Sequence, residues 1–228
     1  MTLARSEGGS RLPIAILISG RGSNMRAIAE LAAAGQLPVE VRVVVSDQPR
    51  AAGLELAATL GISTRVLSPR DFADRAAYDA ALVAELESHQ PQLIVLAGFM
   101  RILSAAFIEA YAARILNVHP SLLPKYRGLH THRRVLEARD RVHGVSVHFV
   151  TAELDGGPVV IQALVDVLPD DDEASLSSRV QAQEHRIYSQ AVDWFARGRL
   201  QLVDDRVWLD GRPLETPVIV DARAHRNA

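Results

Sequence analysis

Two polar side chains end a short apolar run in the middle of the chain. Ile115 and Leu116 precede Asn117 and His119, which stand at alternate positions. Because side chains alternate between the two faces of a strand, the amide and the imidazole are predicted to project from the same face. An amide donor beside a titratable imidazole suits a reaction in which negative charge develops on an oxygen atom. The competing interpretation is a strand end whose polar side chains cap a loop.

A carboxylate that could act with this imidazole follows later in the chain. Asp155 stands in the turn-rich segment 151–158 and precedes Gly156 and Gly157. The paired glycines allow the loop to bend, so the carboxylate could be directed toward an imidazole. An ordinary turn residue is the alternative. The catalytic candidates are therefore Asn117, His119 and Asp155.

A glycine-rich turn near the start of the chain has the features of an anion-binding site. The segment 20–24 (Gly-Arg-Gly-Ser-Asn) separates the apolar run 13–19 from a predicted helix that begins near Met25. Glycines let backbone amides approach a ligand, and a helix N-terminus favours negative charge. Met25 stands where a dinucleotide fingerprint has its third glycine, and no Gly-Lys-Ser/Thr follows, so a phosphate monoester is the better candidate. A plain strand-to-helix turn is the alternative.

The elements that must position these loops alternate between apolar runs and segments of helical periodicity. Four strands are predicted, over residues 13–19, 39–46, 62–67 and 93–97. The first and the fourth are continuous apolar runs, the pattern of parallel strands covered on both faces. The pattern predicts an α/β fold with a doubly wound, mainly parallel mixed sheet and helices on both faces. The segment 144–150 alternates as a half-buried strand and should pair antiparallel with 159–165. A helix is predicted over 71–88.

In such sheets ligands collect beyond the carboxyl ends of the strands, so segments 20–24, 99–103 and 117–119 should meet at one crevice. The apolar loop 99–103 could line a pocket for a flat hydrophobic ligand, or it could pack on the next helix. On the long helix that follows residues 170–173, Gln181 and Glu184 lie near the buried stripe. Glu184 is a candidate ligand contact or an ordinary solvated edge residue.

The composition restricts the class of protein. The chain has 228 residues with 48% hydrophobic and 23% charged residues, and its formal net charge of −2 gives no support for nucleic-acid binding. It contains no cysteine, which excludes disulfides and fits a reducing, cytoplasmic compartment. No apolar run approaches the roughly 20 residues that span a membrane. One domain over 1–228 is expected, with 1–12 as a flexible leader and 210–228 as a weakly patterned tail.

No metal is predicted. His130 and His132 are two residues apart, but no third ligand stands at a convincing spacing.

Five motif blocks resemble the folate-dependent formyltransferases. In chain order they are Ile18–Asn24, Leu96–Leu103, Asn117–Pro124, Gly128–His132 and Leu154–Pro158. Together they are most similar to the members that act in purine synthesis. Arg127 departs from the pattern, because proline is expected at that position of the family loop.

The resemblance implies that 10-formyltetrahydrofolate, as cosubstrate, donates its formyl group to the amine of glycinamide ribonucleotide in de novo purine biosynthesis. Asn117 would donate to the developing oxyanion. His119, made more basic by Asp155, would stabilise that oxygen or relay the amine proton. No bound cofactor or metal is implied, and the expected partners are small molecules, with monomer and homodimer both open.

The resemblance also assigns binding residues. The ribonucleotide would be held by Gly22, Ser23, Asn24, Gln181 and Glu184. The folate would be held by Arg75, Met100, Arg101, Ile102, Leu103, Asn117, Thr151, Ala152, Glu153, Leu154 and Asp155, with 151–155 closing over the pterin.

Three other activities compete with this interpretation. A formyltetrahydrofolate hydrolase is expected to carry a regulatory domain ahead of the catalytic one, whereas only residues 1–12 precede the first strand here. A methionyl-tRNA formyltransferase would need a basic surface and a further carboxyl-terminal domain. A non-catalytic folate- or nucleotide-binding module would not need the set Asn117, His119 and Asp155, since binding alone needs no general base.

Overall fold

The computed structural model describes residues 11–223. Five strands and four helices alternate in the first part: β1 (Leu12–Ile18), α1 (Ser23–Ala33), β2 (Val39–Ser46), α2 (Ala52–Thr59), β3 (Thr64–Val66), α3 (Arg75–His89), β4 (Leu93–Leu96), α4 (Ala105–Ala110) and β5 (Ile115–His119). The second part comprises α5 (Thr131–Ala138), β6 (Val142–Phe149), β7 (Val159–Asp166), α6 (Glu173–Ala196), β8 (Leu200–Val203), β9 (Arg206–Leu209), β10 (Arg212–Pro213) and β11 (Val218–Asp221).

Eight of these strands form one sheet in the order β11-β7-β6-β5-β4-β1-β2-β3. Within the part β5-β4-β1-β2-β3, each strand is parallel to the next. Strand β6 runs antiparallel to both β5 and β7, and β11 runs parallel to β7. The predicted doubly wound, mainly parallel mixed sheet is therefore confirmed, as is the antiparallel pairing of β6 with β7.

The central strands carry apolar side chains on both faces of the sheet, and helices cover both faces. From β1, Ile16 and Ile18 pack into one buried cluster with residues of α1 and α6. Ala15 and Leu17 pack into a second cluster with residues of α3 and α4. Within the described residues, no helix is long and apolar enough to cross a membrane.

The candidate crevice opens where the winding direction of the sheet reverses, between β1 and β4. The two loops that follow these strands are bonded to each other. Ser19 N donates to the Gly98 carbonyl at 3.0 Å, and Met100 N donates to Ser19 Oγ at 2.8 Å. These bonds fix the relative position of the glycine turn and the apolar loop.

The described chain differs from the expected leader and tail boundaries. Leu12 already belongs to β1, where it pairs with Val39, and residues 1–10 of the expected leader lie outside the described residues. In the expected tail, β11 adds to the sheet edge beside β7, and β10 extends the small sheet formed by β8 and β9. Half-buried Val218 and Val220 pack on the core from this strand, which explains why a short segment pairs there.

The helix predicted over 71–88 begins later than expected. Residues Pro69–Asp71 form a short 3₁₀ helix. The Asp74 side chain then accepts a hydrogen bond from Ala77 N at 2.8 Å, which caps the first turn of α3. The helix therefore starts at Arg75.

Candidate active site

The candidate active site starts at the carboxyl end of β5, where Asn117 meets a histidine of the neighbouring strand. Asn117 stands opposite His148 in the β5–β6 pair, and its Nδ2 lies 3.1 Å from His148 Nε2. His148 Nδ1 donates to the Phe149 carbonyl at 2.8 Å, so Nε2 accepts from the amide. Burial lowers the pKa of His148, which keeps its ring neutral. One N–H of the Asn117 amide is thus bonded to His148, and the other is free to donate to a ligand oxygen.

His119 is buried beside this amide, with 6% of its surface exposed. Its Nε2 lies 2.9 Å from the Tyr126 carbonyl oxygen, and its Nδ1 lies 3.4 Å from Asp155 Oδ2. Both ring nitrogens therefore face oxygen acceptors. Nε2 donates to the Tyr126 carbonyl, and Nδ1 faces the Asp155 carboxylate at ion-pair distance.

Asp155 reaches the imidazole from a loop that the backbone constrains closely. Its φ of 48° lies in the left-handed region, and Gly128 N donates to its Oδ2 at 2.9 Å. A Cβ at Gly157 would overlap the Phe149 carbonyl oxygen, so close approach to β6 requires a glycine there. The other carboxylate oxygen of Asp155, Oδ1, lies 3.8 Å from His148 Nε2. Because His148 is neutral, that contact is not an ion pair.

The strand predicted over 144–150 is present as part of β6, but it is buried on both faces and not half-buried as expected. Ser146 is fully buried and His148 is 2% exposed, because the segment after β5 covers the polar face of β6. Ser146 Oγ donates to the Ser121 carbonyl at 2.6 Å and accepts from Leu123 N at 3.0 Å. A polar face that is buried and hydrogen-bonded points to a functional site, and the alternating pattern of β6 was the signal that could have identified His148.

A second histidine contact lies behind His119. His143 Nε2 is 3.1 Å from His132 Nδ1. Burial lowers the pKa of His143 to about 4 and also lowers the pKa of His132. His132 thus bonds to a histidine of β6, and the described part of the chain has no group of three His, Asp or Glu side chains placed to hold a metal ion.

The glycine turn after β1 forms a helix N-terminus without a side-chain cap. Gly22, with φ +73°, precedes the first residue of α1. A Cβ at Gly22 would lie 3.0 Å from Gly53 Cα and 3.1 Å from Met25 Cε, so no larger residue fits without a shift. The first backbone N–H groups of α1 therefore have no capping side chain and are available to an anion.

Helix α6 lies opposite this candidate anion site. Gln181 Nε2 donates to Ser23 Oγ at 3.1 Å, and Asn24 Nδ2 donates to Glu184 Oε2 at 2.8 Å. Burial raises the pKa of Glu184, and the bond from Asn24 opposes that rise. The structure brings together all five residues expected at the ribonucleotide: Gly22, Ser23, Asn24, Gln181 and Glu184.

Large apolar side chains are exposed in the two loops expected at the folate. Met100 is 69%, Ile102 61% and Leu154 52% exposed. Arg75 Nη2 donates to the Ile102 carbonyl at 2.7 Å, which holds the first loop against α3. Apolar residues exposed in this way are typical of a ligand-binding surface.

The other expected folate residues have different surroundings. Leu103 is buried and packs in the apolar cluster that contains Phe99. Arg101 lies over the Tyr78 ring, 4.8 Å from its centroid. The remaining residues lie in the loop before β7: Thr151, Ala152, Glu153 and Asp155.

Arg127, the departure from the family pattern, forms an ion pair with Glu153. The pair joins the segment before α5 to the loop that carries Asp155. Both side chains are substantially exposed, at 39% and 64%.

Comparisons with known proteins agree with this geometry. Residues 12–192 match the family described as formyl transferase. The chain is 52% identical over 201 residues to a phosphoribosylglycinamide formyltransferase of Escherichia coli, covering 88% of this chain and 95% of that protein. A solved phosphoribosylglycinamide formyltransferase of Coxiella burnetii superposes with a TM-score of 0.88 at 44% identity, covering 92% of this chain and 99% of that one.

A formyltetrahydrofolate deformylase of Pseudomonas syringae has the same fold, with a TM-score of 0.81 over 88% of this chain and 66% of that one. Its identity of 20% supports a likeness of fold alone. The family match instead covers most of the chain, including β1, β4, β5 and the loop of Asp155. The chain therefore belongs to the formyl transferase family, which confirms the resemblance of its five motif blocks.

Proposed function

We propose that the protein transfers the formyl group of 10-formyltetrahydrofolate to the amine of glycinamide ribonucleotide, a reaction of de novo purine biosynthesis. The names of its relatives support formyl transfer to this acceptor. The observation that carries the proposal is the meeting of Asn117, His119 and Asp155, with His119 Nδ1 3.4 Å from the Asp155 carboxylate. The anion site at the start of α1 opens on the same side of the sheet.

The reaction needs one negative charge stabilised and one proton moved. The substrate amine attacks the formyl carbon, and the formyl oxygen becomes negative in the tetrahedral intermediate. Asn117 and the imidazolium of His119 stabilise that oxygen. The bond from the formyl carbon to N10 of the folate then breaks. His119, paired with Asp155, gives a proton to N10 as this bond breaks, and the proton lost by the amine then restores the imidazolium.

The two substrates contact different sides of the crevice. The backbone amides and side chains of Gly22, Ser23 and Asn24 hold the substrate phosphate. Gln181 and Glu184 contact the ribose or glycinamide end. The folate lies against the apolar residues of loops 99–103 and 151–155, with Arg75 and Arg101 near its charged end.

The folate acts as a cosubstrate, and the chemistry requires no resident metal or cofactor. We propose that small molecules are the partners of the reaction and that the protein works in the cytoplasm as a monomer or homodimer. In this proposal residues 12–221 act as one formyltransferase domain.

Hydrolysis of the same folate donor is the competing activity. Water would then replace the amine, and an anion site bounded by Ser23 and Gln181 would have no role. This site therefore favours a phosphorylated acceptor.

Formyl transfer by the purified protein tests the proposal. Conversion of 10-formyltetrahydrofolate, followed by absorbance, should require glycinamide ribonucleotide, and the formylated product should appear in equal amount. Equal loss of the donor without the amine would indicate a hydrolase. No conversion, with folate still bound, would indicate a binding module.

A further inference from the structure

A tyrosine hydroxyl lies in the apolar core next to the candidate active site. Tyr188 of α6 is fully buried, and it belongs to the apolar cluster that contains Ile16, Ile18 and Leu116. A phenylalanine ring would fill the same space, and a buried hydroxyl without a hydrogen bond destabilises the folded state. The partners of this hydroxyl therefore explain why a polar group stands in the cluster.

The hydroxyl of Tyr188 is bonded to carbonyl oxygens on two neighbouring strands. It donates to the carbonyl of Leu116 in β5 at 2.8 Å and to the carbonyl of Leu96 in β4 at 3.0 Å. Since a hydroxyl has one proton, the two carbonyls share one donor. Burial raises the pKa of Tyr188 well above its usual range, so the hydroxyl keeps this proton. A single side chain of α6 thus bridges β4 and β5.

The two carbonyls belong to peptide groups that lead into the candidate site. The Leu116 carbonyl lies in the same planar peptide group as the backbone nitrogen of Asn117, the proposed oxyanion donor. The Leu96 carbonyl shares a peptide group with Ala97 N, which donates to the Leu17 carbonyl of β1 at 2.9 Å. Leu96 is also the residue that pairs with Asn117 in the β4–β5 ladder. The hydroxyl is therefore bonded where β5 presents Asn117 and where β4 ends.

Tyr188 shares a helix face with residues of the candidate anion site. Gln181, Glu184 and Tyr188 are spaced at i, i+3 and i+7 on α6, which places their side chains on one face. Gln181 is bonded to Ser23, and Glu184 is bonded to Asn24. One end of this face thus contacts the turn proposed to bind the acceptor phosphate. The other end contacts the strands that lead to the oxyanion donor and to the folate loop.

We propose that Tyr188 is a positioning residue for formyl transfer, which fixes the acceptor-binding face of α6 relative to Asn117 and the folate loop. The inference rests on the proposed function, because it concerns the alignment of the acceptor amine with the formyl carbon. Since Tyr188 is fully buried, it acts through the two peptide groups and not by touching a substrate. Alignment of two reactants contributes strongly to rate, so a small displacement of α6 against β5 slows the reaction.

Tyr188→Phe tests this role, because it removes the hydroxyl and leaves the ring. We expect the single-turnover rate of formyl transfer, measured with enzyme in excess, to fall roughly tenfold. KM for glycinamide ribonucleotide and for 10-formyltetrahydrofolate should stay within about twofold, since the residues proposed to bind them remain. A merely structural hydroxyl would lower the urea midpoint of unfolding and leave the rate of the folded enzyme unchanged. An unchanged rate would therefore overturn the proposal.

Two variants control for the loss of a hydroxyl and for the loss of stability. Tyr111→Phe removes another buried tyrosine hydroxyl, one that has no hydrogen-bond partner among the described residues. Val192→Ala removes apolar volume at a fully buried position of α6, one turn beyond Tyr188. Both should keep the unmodified rate at a temperature where urea unfolding shows every variant to be folded. A fall in rate for Val192→Ala as large as that for Tyr188→Phe would mean that any loosening of α6 has this effect, and it would overturn the specific role of the hydroxyl.

Nuclear magnetic resonance tests the contact without depending on turnover. In isotope-labelled protein the backbone amide signals of Ala97 and Asn117 should shift in Tyr188→Phe, because each amide shares a peptide group with a carbonyl that loses its donor. In Tyr111→Phe both signals should keep their positions. Unshifted signals in Tyr188→Phe would contradict the bridge between β4 and β5.

These outcomes separate the positioning role from the proposed function. Formyl transfer to glycinamide ribonucleotide that is equally fast in the unmodified protein and in Tyr188→Phe would refute the positioning role alone. An unmodified protein that transfers no formyl group to this amine would refute the proposed function, and the positioning role with it. A slower single turnover with nearly constant KM values and shifted signals at Ala97 and Asn117 would support both.

Discussion

The amide nitrogen of Asn117 lies 3.1 Å from His148 Nε2, across the antiparallel pair β5–β6. His148 donates its own proton to the Phe149 carbonyl, so the asparagine must be the donor in this contact. The orientation of the amide is therefore set by a histidine that is not itself placed to react. A positioned donor stabilises an oxyanion better than a mobile one, because it needs no reorganisation during the reaction.

Replacing His148 tests this positioning role. In His148→Leu the amide loses its acceptor, and we expect kcat to fall about tenfold, less than the ~10²–10³-fold loss typical of removing an oxyanion donor outright. KM for the folate should stay nearly constant. His148→Gln, which keeps an acceptor oxygen, should recover part of the rate. Equal rates for the leucine and glutamine variants would contradict the role of the acceptor.

The charge of Asp155 is predicted to matter more than its hydrogen bond to Gly128. Asp155→Asn keeps an oxygen that can accept from Gly128 N but removes the negative charge beside His119. We expect kcat to fall ~10²–10⁴-fold, the range for loss of general acid–base assistance. Folate binding, measured by calorimetry, should be largely unchanged. A wild-type rate for Asp155→Asn would remove the carboxylate from the mechanism.

The pair His132–His143 predicts how stability depends on pH. Burial lowers the pKa of His143 from 6.5 to about 4 in the folded protein. Below pH 6.5 the unfolded chain therefore binds a proton that the folded state does not, and stability falls as the pH drops toward 4. The loss from this residue approaches ~3 kcal/mol, since one pKa unit corresponds to ~1.4 kcal/mol.

Urea unfolding between pH 4.5 and 7.5 measures this effect. His143→Leu should be less stable than the unmodified protein at neutral pH and should lose less stability on acidification. His89→Leu is the matched control, because His89 is a histidine of α3 that pairs with Glu85 and whose side chain is 18% exposed. A slope with pH that is unchanged in His143→Leu would refute the assignment.

The ion pair Arg127–Glu153 should affect the folate more than the chemistry. It joins the segment before α5 to the loop of Asp155, but its exposure limits its strength to about 0.2–1 kcal/mol. Arg127→Glu should raise KM for the folate by roughly two- to fivefold through repulsion, with little change in kcat. The reversed pair, Arg127→Glu with Glu153→Arg, should restore KM at low salt. Failure of the reversal would mean that Arg127 acts through its backbone or its packing.

Much of the fold could be predicted from the sequence, because it depends on local patterns. The apolar runs of β1, β2 and β4 and the helical spacing between them predict a doubly wound sheet. The glycine turn before Ser23 and the residues Asn117 and His119 then have to lie at one edge of that sheet. Helix α3 was misplaced at its start because the Asp74 cap is a side-chain contact that the apolar pattern does not record.

Within the site, the sequence by itself determined which residue types are available for binding and catalysis. It also determined that these residues follow the ends of strands. Only the tertiary structure decided which of them touch. Asn24 and Glu184 are bonded at 2.8 Å across 160 residues of chain, and His143 and His148 enter the site through the register of β6. Register and strand order arise from packing over the whole sheet, so no local spacing encodes these contacts.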